Sequence, residues 1–396
     1  MLRRTRTLGV VLALAAAPAL HAQSPAASSA LLDPVTIART IAAPPPSGQY
    51  AVGRRFVVWT DSSRRDPVDA SRPRELPLWI WYPAAPSAPS AGEPLLDETW
   101  RARRIERLTA KLGPAVARAA GELRVHARPD AALLPGATKL PLLLFTPGLG
   151  WLASDYSVLL EDLASHGYVV AGLAPPGFAD VVRFPDGREV VRTLGIGEKI
   201  GTDQSIVHED ALFALGRLRA LIADRSSFLH GRVDPSRIGA LGHSLGGTTS
   251  LVLAARDSGV RAAVNIDGDP MGDVVAVRPR QPLLLISSES PSIDEAPPGN
   301  SAEHMALARQ GLERSETRRT NDWLRISADA REAKRVRILG ARHLNFEDAA
   351  LAAAWLVTPK ERWMRVGPID GAQGLAITAE LVRSFFDRTL CDRMTR

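Results

Sequence analysis

Six short segments of the chain are almost wholly apolar: LPLLLFT (140–146), YVVAGLA (168–174), RIGALG (237–242), RAAVNID (261–267), PLLLISS (282–288) and RVRILG (335–340). Runs of this length without apolar–polar alternation predict strands buried on both faces, as in a parallel sheet covered by helices. Between most of them the period lengthens to that of a helix, in SDYSVLLEDLASHG, DQSIVHEDALFALGRLRALIAD, GGTTSLVLAARDSG and LNFEDAALAAAWL. Strand and helix in alternation predict one doubly wound α/β domain. Upstream, RRFVVWT and LPLWIWYP are β-branched and aromatic runs separated by a polar loop, which predicts an antiparallel pair at a sheet edge. VVRFPDGREVVR predicts a hairpin turning at Pro185-Asp186-Gly187. In residues 97–124, Ile105, Leu108, Leu112 and Val116 recur at helical spacing among arginines. This reads as one amphipathic helix packed on the core rather than as a lid.

The N-terminus changes the picture of where this domain begins. Arg3, Arg4 and Arg6 precede an apolar run from Leu8 to Leu20 that ends in small residues at Ala22. That order predicts a secretory signal over 1–22, too short to span a bilayer at ~20 residues. The Ala/Ser/Pro-rich stretch 23–48 then reads as a poorly ordered leader, with the domain over 49–396 and insertions near 97–125, 175–203 and 290–330. The expected location is therefore outside the cytoplasm, periplasmic or secreted. Loss of the signal removes three arginines and no acids, lowering the formal charge from +6 to +3. With no basic run interleaved with aromatics, nucleic acid is not an expected partner. Cys391 is the single cysteine, so neither an intrachain disulfide nor a thiolate metal cluster is expected. There is no H-E-x-x-H, and HED (208–210) lies within a predicted helix without a second histidine, so neither metal nor other cofactor is expected. GIGEKIG (195–201) lacks the strand context of a nucleotide site and reads as a loop.

The candidate chemistry lies at the ends of the apolar runs. In RIGALGHSLGG (237–247), Ser244 follows a predicted strand and precedes a predicted helix, with glycines two positions away on either side. A sharp strand-to-helix turn of this kind exposes a serine hydroxyl beside the N–H groups of a helix N-terminus. A neutral hydroxyl needs a base, and histidine suits that role near neutral pH. Of eight histidines, His21 leaves with the signal, His243 adjoins Ser244 and points away, and His166, His208 and His304 sit on or at the ends of predicted helices. His126 and His230 lie in connecting segments outside the chain order serine, acid, histidine. His343 follows the last apolar strand, beyond its carboxyl end, where catalytic groups collect in open parallel sheets. For the acid, Asp267 ends RAAVNID, Asp269 lies two residues on and reads as a turn cap, and Glu289 follows PLLLISS; strand order alone does not choose between Asp267 and Glu289. Oxyanion donors are expected from the N–H of Leu245 and, in TPGLGW, from that of Leu149. Trp151 and Phe178 are the candidate apolar walls of a substrate pocket.

These segments, in order and spacing, resemble the platelet-activating factor acetylhydrolase-like branch of the α/β-hydrolases, related to dienelactone hydrolases. The resemblance rests on LLLFTPGLGWLASDYSVLLEDLASHGYVVAGLA, IGALGHSLGG, AAVNIDGDP, QPLLLISSES and ILGARHLNFED, and covers roughly Tyr50 to the C-terminus. It implies an α/β-hydrolase fold, a mostly parallel central sheet with helices on both faces and helical or hairpin insertions. It also implies an exported serine carboxylic-ester hydrolase favouring short-acyl esters, acting on a small-molecule or lipid ester with transient contact at a membrane surface. In that branch the acid follows the strand after the nucleophile helix, which selects Asp267 over Glu289. Two departures stand out: Pro147 occupies the place of a histidine before Gly-Leu-Gly, and the stretch between Asp267 and His343, including EHMALARQGLERSETRRTND, is long enough for a cap. The rival classes are a peptidase or amidase on the same three residues and a hydrolase-like fold used only for binding.

Overall fold

The computed structural model describes residues 43–86, 92–195, 199–290, 302–352 and 365–391. The signal segment, most of the leader and the second half of LNFEDAALAAAWL lie outside the described residues. Nine strands form one sheet. In chain order its members are β1 (Ala51–Arg65), β2 (Pro73–Ala84), β3 (Arg128–Pro129), β4 (Leu140–Thr146), β5 (Val169–Leu173), β8 (Val233–His243), β9 (Val260–Ile266), β10 (Leu283–Ser288) and β11 (Ala333–Ile338). β6 (Val181–Arg183) and β7 (Glu189–Val191) form the expected hairpin apart from it. The sheet order is β11-β10-β9-β8-β4-β5-β2-β1-β3. All six apolar runs are strands, and β5, β4, β8, β9, β10 and β11 are mutually parallel. β1 and β2 pair antiparallel, as their composition predicts, and β2 joins β5 antiparallel. This is an α/β-hydrolase fold.

Alternation within each strand divides the core in two. Leu143 and Phe145 of β4 and Trp79 and Trp81 of β2 face α3 (Ser157–Ser165) and α7 (Gly371–Phe386), through Leu159, Leu160, Leu163, Val382 and Phe386. Leu142 and Leu144, with Leu78 and Ile80, face α4 (Ile200–Ala223) and α5 (Leu245–Arg256), through Ala211, Leu215, Leu218 and Leu251. Apolar residues on both faces are what a strand covered by two helix layers requires, and hence the unbroken apolar runs in the sequence.

The expected helix over 97–124 is instead two helices, α1 (Glu98–Leu112) and α2 (Pro114–Gly121). Gly113 at φ 77° and the proline after it end the first, although apolar spacing continues through the break. α1 packs as a core helix does: Trp100 and Leu108 are buried, and the Trp100 indole donates to the Val181 carbonyl of the hairpin at 3.2 Å. The expected leader boundary at 48 also shifts. Ser47 N–H donates to Asp162 Oδ1 and Gly48 N–H to Ser165 Oγ, so residues 43–48 belong to the folded body beside α3. The long insertion near 290–330 contains α6 (Ala302–Ile326), while 291–301 lie outside the described residues. Among the described residues no helix is long and apolar enough to cross a membrane.

Candidate active site

The chain runs β4 to β5 on one side of the sheet and then to β8 on the other, so the sheet order reverses between β4 and β8. A crevice opens beyond the carboxyl ends of strands at such a point. Ser244 follows β8 there, and the Pro147–Trp151 loop follows β4.

Ser244 has φ 54° and ψ −120°, a conformation that non-glycine residues seldom adopt. Neighbouring contacts hold it there. Its N–H donates to the Ile266 carbonyl at 2.8 Å, and Thr248 N–H donates to its carbonyl at 3.1 Å. The flanking glycines are required by crowding. A Cβ on Gly246 would stand 1.8 Å from the Thr146 carbonyl oxygen, and one on Gly242 would stand 2.3 Å from the Gly246 backbone. β4, β8 and the start of α5 therefore meet backbone to backbone, and the serine is raised on the turn they share.

His343 opens a short 3-10 turn (His343–Phe346) after β11. Its Nε2 lies 3.1 Å from Ser244 Oγ and its Nδ1 lies 2.8 Å from Asp267 Oδ2. Asp267 follows β9 at φ 49°, and its other oxygen accepts from the Ser288 N–H at 2.7 Å and the Ser288 hydroxyl at 2.9 Å. Burial alone would raise the Asp267 carboxyl. The hydrogen bond and positive field of His343, with the Ser288 N–H, outweigh it and hold the group well below the usual carboxylate range. A carboxylate fixed at Nδ1 selects the tautomer in which Nδ1–H donates and Nε2 is free to accept the serine proton.

The structure thus brings Ser244, His343 and Asp267 into one line and leaves the other acids out of it. Glu289 accepts from Gly340 N–H at 3.0 Å and from Arg342 at 3.3 Å, bracing the turn that precedes His343. Asp269, expected as a turn cap, instead faces Arg319 of α6 at 3.7 Å. The same guanidinium lies 3.9 Å from Asp267, so the insertion helix reaches the site.

Leu149 and Leu245 border the cleft beside Ser244, with Trp151 between the loop and the opening. Among the described residues, neither leucine N–H has a backbone carbonyl partner in the turns, loops and caps. Phe178 does not line the cleft. It is buried against Val207, Leu149 and Leu245, and its carbonyl accepts from Gly150 N–H, so it supports the loop from behind. The cleft has a volume of about 770 Å³. Its apolar lining is Leu149, Trp151, Leu245, Met271 and Leu344.

A buried relay beneath the site was not read from the sequence. His243 does point away from the cleft, but its ring lies 4.5 Å from that of His343, and its Nδ1 is 2.8 Å from the Tyr156 hydroxyl. That hydroxyl in turn accepts from Gly148 N–H at 3.2 Å. Burial, helped by the nearby His343, depresses His243 well below the usual histidine range and favours its neutral form; Glu347 Oε1 lies 3.5 Å from the same Nδ1. Pro147 precedes Gly-Leu-Gly in this chain, and the loop is held through Tyr156. Nothing in the spacing of the sequence signals it, since the partners are 87 residues apart.

His243, Asp267 and His343 are also the one His/Cys/Asp/Glu group, among the described residues, whose side-chain atoms converge within 4.8 Å. Both Nδ1 atoms are already engaged, by Tyr156 and by Asp267, so the three fit a hydrogen-bonded array better than a ligand set.

The known proteins to which this chain is similar are named as esterases or acetylhydrolases. The chain is 28% identical over 254 residues to a probable 1-alkyl-2-acetylglycerophosphocholine esterase of Arthroderma benhamiae, covering 59% of this chain and 60% of that one. It is 29% identical over 200 residues to the platelet-activating factor acetylhydrolase of Bos taurus, covering 43% and 44%. The aligned stretches thus span about half the length of these relatives. A ferulic acid esterase from Streptomyces cinnamoneus superposes with a TM-score of 0.68 at 26% identity, over 89% of this chain and 94% of that one. The model of platelet-activating factor acetylhydrolase, isoform II, matches residues 37–174 and 223–393, and the chain belongs to that family.

Proposed function

We propose that the protein is a serine carboxylic-ester hydrolase with Ser244 as nucleophile, His343 as general base and acid, and Asp267 as the carboxylate that orients His343. The observation that carries this reading is the hydrogen-bonded line Ser244 Oγ, His343 Nε2, Nδ1, Asp267 Oδ2, set on a strained turn at the mouth of a cleft. Ser244 Oγ bonds to the ester carbonyl carbon as its proton passes to His343 Nε2. The carbonyl oxygen becomes an anion between the N–H groups of Leu245 and Leu149. His343 returns the proton to the departing alcohol as the ester C–O bond breaks, leaving an acyl-serine. Water attacks the acyl carbon, giving its proton to His343, and the carboxylic acid leaves as Ser244 recovers its own.

The names of the relatives and of the structural neighbour support ester hydrolysis, and the limited apolar lining favours short acyl groups. The test is the rate of p-nitrophenyl acetate hydrolysis by Ser244→Ala. A loss of roughly 10⁴-fold or more is expected for removal of a serine nucleophile. Retention of most of the activity overturns the mechanism. Export belongs to the same reading: protein recovered from the cell exterior or periplasm is expected to begin at Gln23.

A further inference from the structure

The cleft carries charge that ester hydrolysis by Ser244 does not call for. Three guanidiniums line it, those of Arg192, Arg319 and Arg365, against the carboxylates of Asp267 and Asp269. They are not equivalent. Arg319 is neutralised in place by Glu316, Asp269 and Asp267. Arg192 lies with its Nε 3.7 Å from Asp180, a carboxylate that also has Arg104 at 3.5 Å. Arg365 has no acidic partner within ion-pair distance among the described residues.

An exposed arginine on a loop is ordinary, but the backbone of Arg365 is tied to the site. Its carbonyl accepts from Leu344 N–H at 2.9 Å, the residue after His343, and Gly367 N–H donates to Asn345 Oδ1 at 2.7 Å. The guanidinium therefore stands on the His343 side of the opening. Arg192 is held by a second backbone path on the side of the Pro147–Trp151 loop: Gly150 N–H donates to Phe178 O, and Arg192 N–H donates to Asp180 O. Arg192 also lies between the two stretches that match the family model.

Guanidinium groups offer forked donors that match the paired oxygens of carboxylate and phosphate. Two such groups on different sides of the cleft, apart from the Arg319 cluster and one of them without an acid among the described residues, make a site for an anion adjoining the scissile ester. We infer that the preferred substrates are esters carrying a second, negatively charged oxyanion group, docked chiefly by Arg365 with Arg192 beside it. The inference rests on the reading of Ser244 as an ester-cleaving nucleophile and adds the substrate class.

The experiment compares wild type with Arg365→Gln and Arg192→Gln on four aryl acetates that share one acyl group: phenyl acetate, para-acetoxybenzoate, para-acetoxyphenyl phosphate and the para-trimethylammonio ester. The readout is kcat/KM for each charged ester divided by that for phenyl acetate. Taking the ratio between variant and wild type cancels the differing reactivity of the leaving groups. The expected result is a fall of about tenfold in the anionic-to-neutral ratio for Arg365→Gln, a smaller fall for Arg192→Gln, and a rise in the cationic-to-neutral ratio. In the wild type, added salt is expected to raise KM for the anionic esters more than for phenyl acetate, because the docking charge is exposed and screened. A response to the benzoate alone identifies a carboxylate ligand, and a response to the phosphate alone identifies a phosphate ligand. Fluorophosphonate labelling of Ser244 in each variant reports that the site is intact. Unchanged ratios in both variants, with phenyl acetate still turned over, overturn the anion site and leave the esterase reading standing. Failure of the wild type to hydrolyse any of the four overturns both.

Discussion

Ser244, Asp267 and His343 stand on turns that directly follow β8, β9 and β11, whereas Arg192, Arg319 and Arg365 stand on segments added around the sheet. The first group is fixed from below. Two of its members hold left-handed φ values, glycines let backbones meet, and buried donors occupy the spare oxygen of Asp267. The second group is held less uniformly: Arg319 is tied to Glu316, Asp269 and Asp267, Arg192 lies beside Asp180, and Arg365 is exposed. Chemistry needs positions held to a fraction of an ångström, which only packed strand ends supply. Selection of a substrate tolerates looser groups, and segments outside the sheet can change without disturbing the floor.

Substitutions on the floor and around it should separate the two regions by size of effect. Asp267→Asn keeps the shape but presents an amide to His343, favouring the wrong tautomer. A loss near 10⁴-fold in kcat is expected, measured with a neutral ester so that the rim plays no part. Tyr156→Phe removes the hydroxyl that joins Gly148 N–H to His243 while leaving the ring in its packing. In the proposed mechanism the Leu149 N–H acts on the oxyanion and not on the ground-state ester, so kcat should fall by about tenfold with little change in KM. An equal rise in KM would instead place the tyrosine in substrate binding.

Trp151→Ala and Phe178→Ala test where floor ends and support begins. Trp151 lines the opening, so its loss should appear mainly in KM. Phe178 is buried behind the loop, so its loss should appear mainly as about 3 kcal/mol of unfolding free energy in denaturant titration. The smallest expected effect lies away from the site. His208 on α4 is buried, and burial pushes it down to about 4. The unfolded chain then binds a proton that the folded one refuses between about pH 6.5 and that value, so stability falls as pH drops across this window. His208→Leu should flatten that part of the Tm profile.

How much of this was legible in the sequence follows from the same contrast. β4, β5, β9, β10 and the second half of β8 announced themselves because both faces are buried, whereas β11, at the sheet edge, carries Lys334, Arg335 and Arg337 and was read from its last residues. Ser244, His343 and Asp267 were then found as the polar residues that end such runs, although resemblance was needed to prefer Asp267 to Glu289. Geometry explains the choice: Asp267 Oδ2 meets Nδ1 of His343, while Glu289 is engaged by Gly340 and Arg342. The division of α1 from α2 was present in the sequence as Gly113-Pro114, but the apolar spacing runs across it. α7, packed on the sheet through Val382, Phe385 and Phe386, went unread although its apolar positions repeat at helical spacing. The Tyr156–His243 contact had no signal of spacing, since two distant segments meet only when β4 and β8 lie side by side. The cleft arginines were equally silent, because an arginine in an insertion looks the same whether it faces solvent or substrate.

The central claim is that Ser244 is a nucleophile activated by His343. Its most direct measurement is reaction of the folded protein with a fluorophosphonate, read by intact mass and by mapping of the modified peptide. The expected result is one adduct per chain, on the peptide containing Ser244, lost in Ser244→Ala and strongly slowed in His343→Ala. No adduct on the folded protein, or an adduct on another residue that persists in both variants, would contradict it.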